Sequence, residues 1–334
     1  MTSGAVTGVR RQRWREWVTR RETAPALLLV AIVVGVSLLN PAFASLTNLR
    51  DLAVSAAPVL IVACGMMLVM ITGEIDISVG SLLGLLGALM GILSSPAHLG
   101  WPLPATVAVV LLAGAMAGAL NGVLVAVAGI PSIVVTLGML TVLRAATEGL
   151  MAGEWITDLP PGLRALGTGT FAGVPICVWA AVAVTAGSVL LTRRTAVGRR
   201  VFAVGSNPRA AALHGISVVR TKLFVFTVTG MLTGLAALVS VPQLSVVESG
   251  LGRGFELLVV TGVVVGGVSV RGGVGTVLGT LLGTLLLNII RTALVFLPLG
   301  QAATYWERTV QGVLILVAVL ADHLGGRRRA GGAP

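Results

Sequence analysis

Apolar stretches of about twenty residues succeed one another from Ala24 to Ala321, each long enough to cross a hydrocarbon core roughly 30 Å thick. In lipid such a chain satisfies its backbone only as helices or as a closed barrel. Barrel strands alternate apolar and polar residues over about ten positions, whereas Val107 to Val127 is apolar but for Asn121 and rich in Ala, Gly and Leu. The fold class is therefore all-α and integral to a membrane. The 44 glycines suit helices packed closely in lipid, where small residues let backbones approach.

A net charge of +11 would suit nucleic acid if it were spread along the chain. Instead the basic residues gather at Arg10 to Arg21, Arg193 to Lys222 and Arg327 to Arg329, beside apolar runs. That placement reports topology, and the positive-inside rule puts all three clusters in the cytoplasm. Walking the apolar runs between turn signals then gives about ten spans with both termini inside. They alternate outward and inward: Ala24–Ala42, Leu52–Thr72, Ile77–Leu93, Pro104–Ala126, Pro131–Met151, Pro175–Leu191, Lys222–Val241, Phe255–Val270, Val274–Ile290 and Thr309–Ala321. The chain divides into a basic cytoplasmic segment 1–23, a transmembrane domain 24–322 and a basic tail 323–334. Within the domain, 152–173 forms an extracytoplasmic loop and 193–222 a cytoplasmic one. Arginines, the apolar stretch Ala26 to Leu39 and then Ala42-Phe43-Ala44 also imitate a secretory signal, so a cleaved leader and an uncleaved first helix both stay open.

Chemistry concentrates at Gly73-Glu74-Ile75-Asp76-Ile77-Ser78, a polar break between two apolar runs. An ionised group near hydrocarbon costs roughly 2.5 to 3.5 kcal/mol, so such residues face a bundle interior, a cavity or a partner. Glu74 and Asp76 are candidates for gating, and Ser78 is a candidate N-cap for the following span. Asn121 lies within an apolar span, where a helix-to-helix hydrogen bond competes with a role on the solute path. A faint repeat aligns Ile75 to Gly84 with Val270 to Gly279 and sets Asp76 opposite Arg271, which makes an ion pair at the gate an expectation. In the outer segments Gln243, Glu248 and Glu256 are positioned for contact with a docked protein or for simple hydration.

The central loop offers Asn207 as N-cap, Pro208 for a first helical turn and Gly215 as terminator of a short helix. Its residues alone fit a partner contact and also an ordinary basic loop. No phosphate-binding Gly-x-x-x-x-Gly-Lys-[Ser/Thr] occurs in the sequence, so any ATP dependence has to come from another chain. The sequence carries no nucleophile elbow and no zinc-binding helix motif. Its three histidines are scattered, and Cys64 and Cys177 sit inside apolar runs, so neither an enzyme nor a metal centre nor a disulfide framework is expected.

Several stretches in order, Thr72 to Gly84, Asn121 to Leu124, Ile130 to Gly138, the central loop, Gly252 to Leu257, Val265 to Ser269 and Gln311 to Asp322, resemble the ribose-type membrane permeases of bacterial ABC importers. The resemblance implies a multi-pass protein of the bacterial inner membrane that carries a monosaccharide or related small polar solute. It implies a second permease copy, identical or homologous, two cytoplasmic ATPase subunits holding ATP and Mg, and an extracytoplasmic solute-binding protein, with no cofactor on this chain. Asn207, Pro208, Arg209, Ala210, Ala211, His214 and Gly215 then match the family's ATPase-coupling segment. Gly153 to Pro160 is similar to the outer loop of autoinducer-2 and some rhamnose permeases. Where the family often has an acid after Glu256-Leu257, this chain has Leu258. A secondary transporter driven by an ion gradient is the rival reading; it would more typically carry ionisable residues deep within its spans.

Overall fold

The computed structural model describes residues 22–297, 306–317 and 320, so the basic ends at Arg10 to Arg21 and Arg327 to Arg329, and residues 318, 319 and 321 of the tenth expected span, lie outside it. Helices α1 (Thr23–Leu39), α2 (Leu46–Ile71), α3 (Val79–Ser94), α4 (Leu103–Ala126) and α5 (Ser132–Met151) come first. A short α6 (Pro161–Thr168) and a two-stranded hairpin, β1 (Thr170–Phe171) and β2 (Val174–Pro175), precede α7 (Ile176–Arg194). Then follow α8 (Ala196–Ser206), α9 (Pro208–Leu213), α10 (Val218–Ser240), α11 (Phe255–Val265), α12 (Val277–Phe296) and a helix over 306–317, here α13.

A helix overlaps each of the expected spans. Six of them, α2, α4, α5, α7, α10 and α12, are long and apolar enough to cross a membrane, while α1, α3 and α11 are shorter apolar helices. α2 is the hub: its most apolar stretch is 89% buried, against 28% for α4 and 22% for α5. The outward faces of α4 and α5 carry Leu112, Met116, Val134 and Val142, exposed side chains that suit lipid rather than water.

Glycine sets the closest approach. α4 and α10 cross where a Cβ on Gly118 would stand 2.2 Å from the Phe226 carbonyl oxygen and one on Gly230 would stand 2.1 Å from that of Gly114. No side chain fits there, so the backbones themselves touch, as small residues permit in lipid.

Two boundaries differ from the sequence reading. Lys222 does not open its span; α10 starts at Val218 and carries Lys222 one turn inside. The eighth segment begins at Phe255 as expected but is a short helix, because it stops at Val265, where Gly266 and Gly267 (φ 87°) turn the chain, instead of running to Val270; residues 244–254 descend along α3 to reach it. Val247 meets Ile156 in an isolated antiparallel bridge and packs beside Gly91 near the end of α3, whereas Leu251 lies against Gly84 and Gly252 against Gly80. Gly252 (φ 75°) and Gly254 (φ 81°) supply the left-handed turns that this descent requires. The expected outer loop is itself folded, with α6 and the first strand of the hairpin inside it and β2 just beyond.

Candidate functional site

The polar break is a closed, hydrogen-bonded knot. Asp76 is 1% exposed and Ser78 fully buried. The Ser78 amide (2.9 Å) and hydroxyl (2.6 Å) both donate to Asp76 Oδ1. Asn121 Nδ2, from α4, donates to Ser78 Oγ at 2.9 Å and to Asp76 Oδ2 at 3.3 Å. Neighbouring α5 holds the Ile75 peptide from both sides: its amide donates to Ser132 Oγ (3.2 Å) and its carbonyl accepts from Thr136 Oγ1 (3.3 Å). The break therefore ties α2 and α3 to α4 and α5.

Two expectations change here. Ser78 occupies the N-cap position of α3, but its hydroxyl makes no capping bond and is committed to Asp76. No ion pair joins Asp76 to Arg271 among the described residues; the carboxylate takes its bonds from neutral donors, and the Arg271 side chain is exposed. The two aligned segments nevertheless meet through backbone. Gly273 N donates to Ile71 O at 2.8 Å, and a Cβ on Gly272 would lie 2.9 Å from Gly73 N. α12 begins at Val277, which the alignment sets opposite Leu82, whereas α3 begins at Val79, so the helix starts of the two aligned segments do not coincide.

The break's cation is Lys222, whose ammonium pairs with Glu74, both side chains being largely buried. The sequence reading missed this pair. Its signal was available: Lys222 is the one lysine of the chain, placed one turn inside a largely apolar helix where a buried ammonium requires a partner.

Lys222 belongs to the helix that leaves the central loop, and the loop grips the break a second time. A Cβ on Gly205, near the end of α8, would fall 1.7 Å from Ile71 O and 2.7 Å from Gly273 N. Thr195 caps α8 by accepting from Gly198 N at 3.1 Å, and Asn207 caps α9 by accepting from Ala210 N at 3.0 Å, with Pro208 in the first turn and Gly215 (φ 76°) just beyond the end. Ala211 is buried against the body and Ala210 partly so, while Arg209 and His214 are exposed. Leu213, also missed, is 89% exposed, an apolar knob on a polar loop of the kind a protein partner covers.

The outer candidates are not gathered. Glu248 is exposed. Gln243 turns inward and donates to Val239 O at 2.6 Å. Glu256 lies away from the rim: its carboxylate rests on Gly80 in the first turn of α3, one oxygen accepting from Gly254 N at 3.2 Å and the other buried without a partner. At the rim itself Ser95 Oγ donates to the Asp158 carboxylate at 2.8 Å, which holds that carboxyl below the usual range, and His98 meets Glu154 at 3.3 Å.

Among the described residues no group of three or more His, Cys, Asp or Glu side chains is placed to hold a metal ion, and the site consists of two broken helices gripped by a loop. The comparisons agree with a transport role. Residues 48–319 match the family model described as the branched-chain amino acid transport system permease component. The chain is 35% identical over 316 residues to the ribose import permease protein RbsC of Haemophilus influenzae, covering 93% of this chain and 95% of that protein. It is 37% identical over 302 residues to the autoinducer 2 import system permease protein LsrC of Klebsiella pneumoniae, covering 90% and 86%. With RbsC of Escherichia coli it shares 35% over 329 residues, covering 97% and 99%. No solved structure matches significantly. Matched over most of its length by that model and by relatives end to end, the chain belongs to this family of membrane permease components of transport systems.

Proposed function

We propose that this chain forms the transmembrane path of an ATP-binding cassette importer for a monosaccharide or a related small polar solute. It is a transport subunit of the bacterial inner membrane, working as one of two permeases, identical or homologous. A partner ATPase holds ATP and Mg on the cytoplasmic side, and a binding protein delivers solute outside. In this reading all ten apolar helices cross or enter the bilayer, with both termini in the cytoplasm. Names among the relatives point to ribose and autoinducer-2 import; the solute class here is drawn from them.

The observation that carries the reading is the double grip of the central loop on the polar break, Lys222 on Glu74 and Gly205 on Ile71. Force applied to α9 through Arg209, Leu213 and His214 would travel through α8 and α10 to the point where α2 and α3 separate. Such a contact drives transport only if the partner binds two permease states with different free energies. The knot of Asp76, Ser78 and Asn121 is the element that closes in one state, and Arg271, beside Gly73 on the facing break, shares that gate. Glu248, with Gln243 and Glu256 behind it, lies on the segment offered to the binding protein.

Co-expression with the neighbouring genes, followed by mass spectrometry of the intact complex, tests the assembly. Two ATPase copies with two permeases is the expected result. A lone chain that transports on an ion gradient would defeat it. Within the complex, Arg209→Ala with His214→Ala should leave ATP hydrolysis running while uptake falls.

A further inference from the structure

A cavity of about 870 Å³ opens beside the N-terminal end of α11, between Pro58 of α2, the far part of α12 and α13. Arg291 lies 14 residues along α12 from Val277, about 21 Å from the end that meets the break. Leu83, four residues into α3, lines its near side, so the cavity lies between the break and the end of the bundle away from the central loop. Its size lies in the range of small-molecule sites, roughly 300 to 1,000 Å³.

The charged lining is three arginines, Arg253, Arg291 and Arg308, and one glutamate, Glu307. Arg291 Nε meets Glu307 Oε1 at 3.2 Å, and Arg253, also on the wall, meets Glu148 at 3.2 Å. One contact leaves a guanidinium most of its five N–H donors, and it leaves a carboxylate most of its acceptor sites. Side by side, Arg291 and Glu307 offer a donor and an acceptor to adjacent hydroxyls. Gln311 adds an amide whose Nε2 is buried and has no hydrogen-bond partner among the described residues. Phe255 supplies an apolar wall. A pocket of apolar walls with a few convergent polar groups fits a hydroxylated ring, whose C–H face is apolar and whose edge is polar.

We infer that this cavity is the outer solute site of the permease, accepting one neutral polyol of monosaccharide size on Arg291, Glu307 and Gln311, and that the sealed break touches no solute until it opens. The inference rests on the importer reading, since it assumes solute arrives from that end.

Cells carrying the complete gene cluster are given labelled D-ribose, L-rhamnose or D-gluconate, with wild-type chain, Arg291→Gln, Glu307→Gln or Arg308→Gln. The site predicts that Arg291→Gln and Glu307→Gln each lower maximal uptake of a neutral sugar roughly tenfold or more. The half-saturating concentration should hold, because the binding protein sets it. Chain abundance and ATP hydrolysis in the purified complex should also hold, which separates lost solute contact from misfolding. Wild-type uptake in both variants overturns the site. Uptake of D-gluconate alone, abolished by Arg308→Gln, overturns the polyol class in favour of an anion. Should wild-type uptake run on an ion gradient without ATP, the importer reading fails, and the same two variants still score the cavity.

Discussion

The break at residues 72–78 and the cavity beside α11 hold much the same chemistry, carboxylate, amide, hydroxyl or guanidinium, packed in opposite ways. In the break Asp76, Ser78 and Asn121 bond to one another and to no water-facing surface. In the cavity Arg291 keeps 57% of its side-chain surface and Glu307 keeps 32%. Low dielectric raises the cost of an unmet polar group, so the first arrangement is stable only when shut and the second is ready for a ligand. A transporter needs both, a place where solute rests and a place that must be forced open.

Bulk tests this contrast most severely. Gly205→Val would drive a side chain into Ile71 O, from which even a Cβ stands 1.7 Å, and should abolish folded protein in the membrane by size-exclusion profile. Gly312→Ala, on the cavity wall with no atom within 4 Å of the added Cβ, should give a wild-type profile.

Charge comes next. Lys222→Met strands Glu74 and should cost about 3 kcal/mol, the lower end for a broken pair because both side chains keep some exposure. Adding Glu74→Gln removes the stranded charge and should recover most of the lost melting temperature. A double variant no better than the single would show that the pair contributes nothing specific.

Asp76→Asn is a smaller disturbance. It keeps shape and one acceptor oxygen but turns an N–H toward donors on Ser78 or Asn121, so about 1 to 2 kcal/mol should be lost. Asn121→Ala should be worse than Asp76→Asn, since it leaves both Asp76 and Ser78 short of a donor.

The Ser95–Asp158 contact should respond least. The Ser95 hydroxyl holds the Asp158 carboxyl below its ordinary range. A depressed folded-state value means the contribution is present above the unfolded value and fades as pH falls through the folded one. The melting-temperature difference between Asp158→Asn and wild type should therefore be constant from neutral to mildly acidic pH and shrink only below the usual carboxylate range. A difference that vanishes near neutrality would contradict the Ser95 contact.

Much of the fold was legible because lipid permits few solutions: apolar runs had to be helices, and a helix stands where each was expected. The short helix α9 was legible because Asn207, Pro208 and Gly215 act on their own neighbours. What escaped was non-local. Nothing near Glu74 names Lys222, 148 positions away. Nothing near Glu256 names Gly80, whose missing side chain makes room for the carboxylate. Ser78 looked like a cap because capping is a local rule, but a buried carboxylate two residues earlier outbid the helix for its hydroxyl. The cavity joins residues on α11, α12 and α13, which no spacing could reveal.

The link between loop and break is tested most directly by the amount of solute moved per ATP hydrolysed, measured with the reconstituted complex in proteoliposomes for wild type, Lys222→Gln and the exchange Glu74→Lys with Lys222→Glu. The account predicts that Lys222→Gln hydrolyses ATP yet moves at least about tenfold less solute per ATP, a loss of roughly 1.4 kcal/mol in coupling, and that the exchange restores much of it. A wild-type ratio in Lys222→Gln would contradict the claim that this contact carries the loop's motion to the gate.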